Sequence, residues 1–349
     1  MKVIRLITPL LLLLAGCAKK NTPKPTADFN ILMGSNKGTW KFVETHEDYD
    51  FLERFKILFE KNKNLPVSSD QESIPKVMHF IWVGPNPFPK ESIENIDSWV
   101  EHHPEWKFKF WTDRLRPLPN KKMELHLISD FSFKELKHAY EVSDNYAEKS
   151  DLLRYEILSQ EGGLYVDHDV KCYKPFTPFH YQYDLYCGLE VPHQPVFSSS
   201  ISVCNNIIGV CPSHPILGKV IERVKSHWQE YSEAYPGSDK ESVIYRVGYR
   251  TFMPFDECIR NYGGKEGKRD IVFPAAYFNK IEDDFAIYAH HYYASTWFED
   301  ETKFERNVRR RLISISRKNN QILLFNGVIL AANVALLACL IFYMRTMRN

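Results

Sequence analysis

The chain has 349 residues, a formal net charge of +1 and 44% apolar residues. That balance supplies no strong field for nucleic acid, which is therefore not an expected partner. The stretch from Ile74 to Asp300, about 230 residues, is long enough for one domain with a large core.

At the amino end, Lys2 and Arg5 precede an apolar run that closes on Leu14-Ala15-Gly16-Cys17. This is the layout of a bacterial lipoprotein signal with Cys17 as the lipidated residue; a leucine-rich membrane anchor with an incidental cysteine is the alternative. Residues 1–17 are thus a signal peptide or an anchor. Residues 18–30 carry Lys19, Lys20, Pro23, Lys24 and Pro25 and read as a flexible linker. Residues 40–63 place Phe42, Phe51, Leu52, Phe55, Leu58 and Phe59 among charges, which predicts one or two amphipathic helices. Together 18–73 form a linker and helical extension ahead of a domain at 74–300.

The apolar run Val77–Val83 predicts a strand, and Trp82 sits at its end before Gly84-Pro85. A strand tryptophan packs in a core more often than it binds a ligand. At the carboxyl end of an α/β strand, however, it lies where nucleotides bind in such folds.

Residues 147–170 carry the most information. From Ala147 to Gln160 the apolar positions Leu152, Leu153, Tyr155, Ile157 and Leu158 fit a partly buried helix. Asp151 and Arg154 are three apart on one face of it. Gly162 or Gly163 can take the left-handed conformation that ends a helix, and Leu164-Tyr165-Val166 predicts a short strand. The strand ends in Asp167 and Asp169, which by its alternation project to one side, about 6.6 Å apart. Two carboxylates there are hard oxygen ligands for Mn²⁺ or Mg²⁺, with diphosphate oxygens and water completing the shell. An Asp-x-Asp alone means little, since about one is expected by chance in such a chain. A second, Asp48-Tyr49-Asp50, lies in an unremarkable charged stretch. The surrounding helix, glycine stop and strand set the first apart; an i,i+3 ion pair beside a solvated strand end is its bland alternative.

Arg306, Arg309, Arg310, Arg311, Arg317 and Lys318 make 301–320 a basic juxtamembrane segment. The uncharged run 321–344 is long enough to span about 30 Å of hydrocarbon as a single helix. Its flanking charges favour a cytoplasmic domain, whereas a lipoprotein signal would export it, so the two ends point in opposite directions. Apart from Cys17 and Cys339, five cysteines remain without close zinc-type spacing, which indicates neither a disulfide framework nor a zinc site.

Several segments in order resemble one family, the glycosyltransferases with a DXD sugar-binding region. Its members include the initiating α-1,6-mannosyltransferases, the sphingolipid mannosyltransferases and, distantly, the clostridial glucosylating toxins. The likeness runs over about 74–300 and rests on Ile74–Gly84, on Trp99, Pro104, Trp106 and Trp111-Thr112-Asp113, and on 147–170. It continues through Cys204-Asn205-Asn206-Ile207-Ile208-Gly209 with His214-Pro215, and closes with His291-Tyr292-Tyr293-Ala294-Ser295-Thr296-Trp297. Two features depart from the family pattern: Thr296 stands between Ser295 and Trp297, and Val247–Thr251 replaces a Gly-Pro turn.

The resemblance implies a GT-A-like α/β nucleotide-sugar-binding domain with a Rossmann-like mixed central sheet, flanked here by the helical extension and a C-terminal transmembrane helix. It implies catalytic roles for Asp151, Arg154, Asp167 and Asp169. Donor contacts would come from Trp82, Asp151, Arg154, Asn205, Asn206, Ser295 and Trp297. A metal would sit on Asp167 and Asp169, with His291 as a third contact and His290 as the fallback. Asn205 and Asn206 could instead cap or turn the chain, and His291 could be a satisfied core histidine. The implied reaction moves a hexose from GDP-mannose or a UDP-hexose to a lipid, glycan or protein acceptor, with retention. A non-catalytic sugar-nucleotide-binding scaffold and a toxin-like effector glycosylating a host protein are the rival readings.

Overall fold

The computed structural model describes residues 28–67, 71–197, 199–265 and 269–294. Asp28 caps α1 (Phe29–Leu32), and Thr45 and Asp48 form a reciprocal capping box that starts α2 (His46–Asn62). Then come β1 (Val77–Trp82), α3 (Ile93–His102), β2 (Lys107–Thr112) and β3 (Met123–Leu127). Next are α4 (Lys137–Val142), α5 (Tyr146–Glu161), β4 (Gly163–Val166) and β5 (Val170–Cys172). The second half runs α6 (Thr177–Gln182), β6 (Leu185–Leu189), β7 (Val203–Val210), α7 (Pro215–Ala234) and α8 (Lys240–Val247). A π-helical turn at Gly248–Phe252 joins α8 to α9 (Met253–Tyr262), followed by β8 (Asp270–Phe273) and β9 (Ala289–His291).

Seven strands form one mixed sheet in the order β3-β2-β1-β4-β7-β6-β8. The first four are parallel, while β7 runs antiparallel to both β4 and β6. The chain winds outward from β1 to β3 and then returns to the other side of β1, which makes the β1–β4 junction a topological switch point. Pairing between these strands covers only Met78–Leu164 and His79–Tyr165, against six pairs between β1 and β2. Their carboxyl ends therefore part, and a crevice opens beyond them.

The glycine stop sets this geometry. Gly162 has φ 64° and ψ −155°, outside the left-handed helical region and in one that only glycine occupies readily. Gly163, at φ 95°, lies so close to β1 that a Cβ would fall 2.5 Å from the Val77 carbonyl oxygen. The preceding helix is more deeply buried than its apolar pattern predicts. Every residue from Asp151 to Leu158 is buried, because α5 is enclosed by α4, α7, β1, β4 and the π-helical turn.

The core centres on aromatic packing of Phe176, Phe179, Tyr186, Phe273 and Phe278. The amino-terminal helices join it. Phe29 is fully buried against Phe59, and Phe59 meets Phe273 and Tyr277. The linker expected over 18–30 thus gives way to helix at Asp28. Among the described residues no helix is long and apolar enough to cross a membrane; the segments at 1–17 and 321–344 lie outside them.

Candidate active site

A cavity of about 990 Å³ opens at the switch point. Trp82 from the end of β1, Asp151 and Arg154 from α5, Asp167 and Asp169 after β4, Asn205 from β7 and His291 from β9 all line it. Elements far apart in sequence supply one polar wall.

The two aspartates do not reach it as expected. β4 ends at Val166, and Asp167-His168-Asp169 forms a tight turn in which the Val170 N–H donates to the Asp167 carbonyl, 3.2 Å. The alternation of a continuing strand therefore does not apply; the turn and its anchors bring the carboxylates together. The Asp167 N–H donates to the Asn206 carbonyl, 2.9 Å. His168 points the other way, its Nδ1 2.8 Å from the Ser92 hydroxyl and its ring edge-to-face with Trp82. The antiparallel β5–β9 pair, with Val170 opposite His291, then sets the histidine beside the turn.

Ligand atoms of Asp167, Asp169 and His291 lie within 4.8 Å of one another. Two carboxylates and an imidazole are a donor set suited to a borderline or hard divalent cation. The His291 Nε2 faces Asp169 Oδ1 at 3.4 Å, and its Nδ1 is buried with no hydrogen-bond partner. The residues fit a cation. Burial pushes the Asp169 carboxyl up, but His291, 3.4 Å away, outweighs it and holds the group well below the usual carboxylate range. Burial likewise lowers His291, and Asp169 reverses that to a net upward shift.

Arg154 ties the second half of the wall together. Its Nη2 lies 3.0 Å from Asp151 Oδ1 and 3.2 Å from Asp167 Oδ1, and its Nη1 donates to the Asn205 carbonyl at 2.6 Å. The guanidinium also stacks over the Tyr165 ring, 4.1 Å from its centroid. Asp151 accepts further from the Thr251 hydroxyl, 2.6 Å, and from Asn205 Nδ2, 3.1 Å. The i,i+3 ion pair therefore exists, but as a buried bridge to the turn rather than a solvated surface contact. Burial leaves the Asp151 carboxyl above its ordinary range despite Arg154 and Thr251.

Trp82 is half-buried at the cavity wall, its indole N–H donating to the Asn86 carbonyl at 2.9 Å. Asn206 does not line the cavity; its side chain is buried with neither polar atom bonded. His290 faces away from the cluster and accepts from the Lys280 N–H. Ser295, Trp297 and Cys17 lie outside the described residues. Sequence reasoning did not single out Tyr165, whose hydroxyl donates to Asp167 at 2.6 Å, nor Thr251. Tyr165 was within the motif and alternates with Asp167, a signal that could have been read.

Residues 89–186 match the family described as "Glycosyltransferase sugar-binding region containing DXD motif". Over those residues the chain is similar to the sugar-binding region of the DXD glycosyltransferases. The seven-stranded mixed sheet agrees with the mixed central sheet that the resemblance implies. Among curated proteins it is 27% identical over 185 residues to the Subversion of eukaryotic traffic protein A of Legionella pneumophila, covering 48% of this chain and 28% of that protein. It is 27% identical over 249 residues to the mannosyl phosphorylinositol ceramide synthase CSH1 of Saccharomyces cerevisiae, covering 70% and 58%. The chain therefore spans less than two thirds of the length of either relative. Among solved structures, the PaToxG glycosyltransferase aligns with a TM-score of 0.43 and 17% identity, over 67% of this chain and 79% of that one.

Proposed function

We propose that this protein is a metal-dependent glycosyltransferase that moves a hexose from a nucleotide-sugar to an acceptor hydroxyl. The observation that carries the reading is the convergence of Asp167, Asp169 and His291 beside Arg154 in one cavity at the switch point. Asp167, Asp169 and His291 would hold Mn²⁺ or Mg²⁺, which when bound supplies Lewis-acid stabilisation of the departing diphosphate. Arg154, fixed by three oxygen acceptors, adds positive potential that needs no reorganisation as charge develops. Asp151, held by Thr251, Asn205 and Arg154, is placed to accept hydrogen bonds from donor hydroxyls. Trp82 offers an aromatic surface for the base. In the reaction the acceptor oxygen bonds to the anomeric carbon, and the carbon–oxygen bond to the diphosphate breaks. The electron pair leaves on the diphosphate, which takes up the acceptor's proton, with retention of configuration.

Mannose from GDP-mannose is the favoured transfer and a UDP-hexose the alternative; a curated relative is a mannosyl phosphorylinositol ceramide synthase. An acceptor with an apolar portion is supported by Val196, Phe197, Val243, Ile244, Val247 and Phe252, which also line the cavity. A membrane tether at 321–344 would present such an acceptor. An effector that modifies a host protein is the second reading, favoured by the likeness to the Subversion of eukaryotic traffic protein A.

The test is turnover of a nucleotide-sugar panel by the full chain with lipid, glycan and protein acceptors, with and without Mn²⁺. Cation-dependent release of GDP or UDP, lost in Asp167→Asn and Asp169→Asn while both stay folded, is the expected result. Silence across the panel would leave a non-catalytic sugar-nucleotide scaffold.

A further inference from the structure

Five carboxylates line the cavity: Asp144, Asp151, Asp167, Asp169 and Glu190. Asp144 is exposed on the loop before α5, Asp151 is committed to Arg154 and Thr251, and the motif pair belongs to the cation cluster. Glu190 has no place in that scheme. It follows β6, which β7 separates from β4 in the sheet, and its N–H donates to the Ser202 carbonyl at 2.9 Å. Its side chain is only 14% exposed.

The partner of Glu190 defines its charge. His193 Nε2 lies 2.8 Å from Glu190 Oε2, and His193 Nδ1 lies 2.8 Å from the Gln194 carbonyl oxygen. The Gln194 carbonyl oxygen can only accept, so Nδ1 carries a hydrogen. With Glu190 ionised, Nε2 carries one as well, and the ring is an imidazolium. The shifts agree: burial raises Glu190 but His193 brings it below its ordinary value, and the bond to Glu190 raises His193 despite burial.

An ionised carboxylate in a half-enclosed cavity is costly unless it is paired, and His193 supplies the pairing that keeps Glu190 charged at the cavity wall. In hexosyl transfer the group that gains positive charge is the sugar ring. We propose that Glu190 is a catalytic carboxylate that contacts the transferred sugar, accepting its hydroxyl hydrogen bonds and stabilising the positive charge that grows at the anomeric carbon. It forms no covalent bond and takes no proton. His193 is a positioning residue that fixes the orientation and ionisation of Glu190. This inference rests on the glycosyltransferase reading.

The test compares Glu190→Gln, Glu190→Asp and His193→Gln with the unaltered full chain. Titration calorimetry with Mn²⁺ measures affinity for GDP and UDP and for GDP-mannose and UDP-glucose; kinetics follow whichever donor turns over. In the unaltered chain the sugar should add affinity over the bare diphosphate. Glu190→Gln should abolish that increment and lower kcat by about 10²–10³-fold, while diphosphate affinity and melting temperature hold. Glu190→Asp should recover part of kcat, and His193→Gln should lose less than Glu190→Gln. A Glu190→Gln variant that keeps the sugar increment, or that loses diphosphate affinity and melting temperature in parallel, would overturn the proposal. Absence of turnover in the unaltered chain would instead overturn the transferase reading and with it the catalytic role, while the binding increment would still decide whether Glu190 contacts the sugar.

Discussion

Removing the guanidinium of Arg154 would strand two carboxylates, Asp151 and Asp167, and leave the Asn205 carbonyl without its donor. Breaking a buried pair from one side costs about 3–5 kcal/mol, so Arg154→Ala should lower the unfolding free energy by an amount of that order. Arg154→Lys keeps the charge, but one ammonium cannot replace the planar fork at three acceptors while stacking on Tyr165. We expect it to be folded and to lose most donor turnover, as urea titration and kinetics would show. At this scale the sequence revealed what is local. Asp151, Arg154, Asp167 and Asp169 share one short segment, and their spacing carries a geometric meaning. Glu190 was not legible, because a single glutamate with a histidine three residues on looks like any loop. His291 became visible only through the family likeness, since 122 residues separate it from Asp169 and a two-stranded ladder brings them together.

At the scale of elements, the start of α2 braces the loop that carries Glu190 and His193. Asp48 completes the capping box and accepts from the Ser199 hydroxyl at 2.6 Å and the Ser200 N–H at 2.8 Å. Asp48-Tyr49-Asp50, unremarkable as a sequence, thus contains a buried strut. Asp48→Ala removes its half of the capping box and both loop contacts. It should cost about 1–3 kcal/mol and raise the KM for donor, through a loop freed between Glu190 and Ser202. Hydrogen exchange across that loop would report it; unchanged protection would contradict the strut. The π-helical turn acts similarly on Asp151. Thr251→Val deletes a 2.6 Å bond to a buried carboxylate, and a loss of about 1–3 kcal/mol in stability is expected. The strand–turn boundary at Val166 was not legible, because residues 167–169 have no turn signature apart from aspartate. Their turn is set by Asn206, Ser92 and Trp82, which lie elsewhere in the chain.

For the whole molecule, three buried histidines govern acid stability. His79 accepts from the Trp111 indole N–H and donates to the Gly162 carbonyl. His103 donates to the Trp99 carbonyl and accepts from the Phe176 N–H, while His180 lies between the Ile74 carbonyl and the Tyr186 hydroxyl. Such pairings require or favour the neutral ring. Burial lowers the three from 6.5 to about 4, about 4 and about 3. Below pH 6.5 the unfolded chain binds protons that the folded chain refuses, so stability is complete above that pH. It falls as the pH drops towards 4, by up to about 1.4 kcal/mol per histidine for each unit. A melting temperature that stays flat from pH 7 to pH 4.5 would contradict this. The α/β class was legible from strand and helix patterns. The packing of Phe29 and Phe59 into the core was not, because an amphipathic helix does not name the surface it will cover.

The most direct test of the central claim is Mn²⁺ binding by the full chain, followed by electron paramagnetic resonance with and without GDP or UDP. The structure predicts that nucleoside diphosphate and cation bind together, each tightening the other, and that Asp169→Asn and His291→Ala abolish the coupling without unfolding the protein. Diphosphate binding that ignores the cation, or coupling that survives in Asp169→Asn, would contradict it.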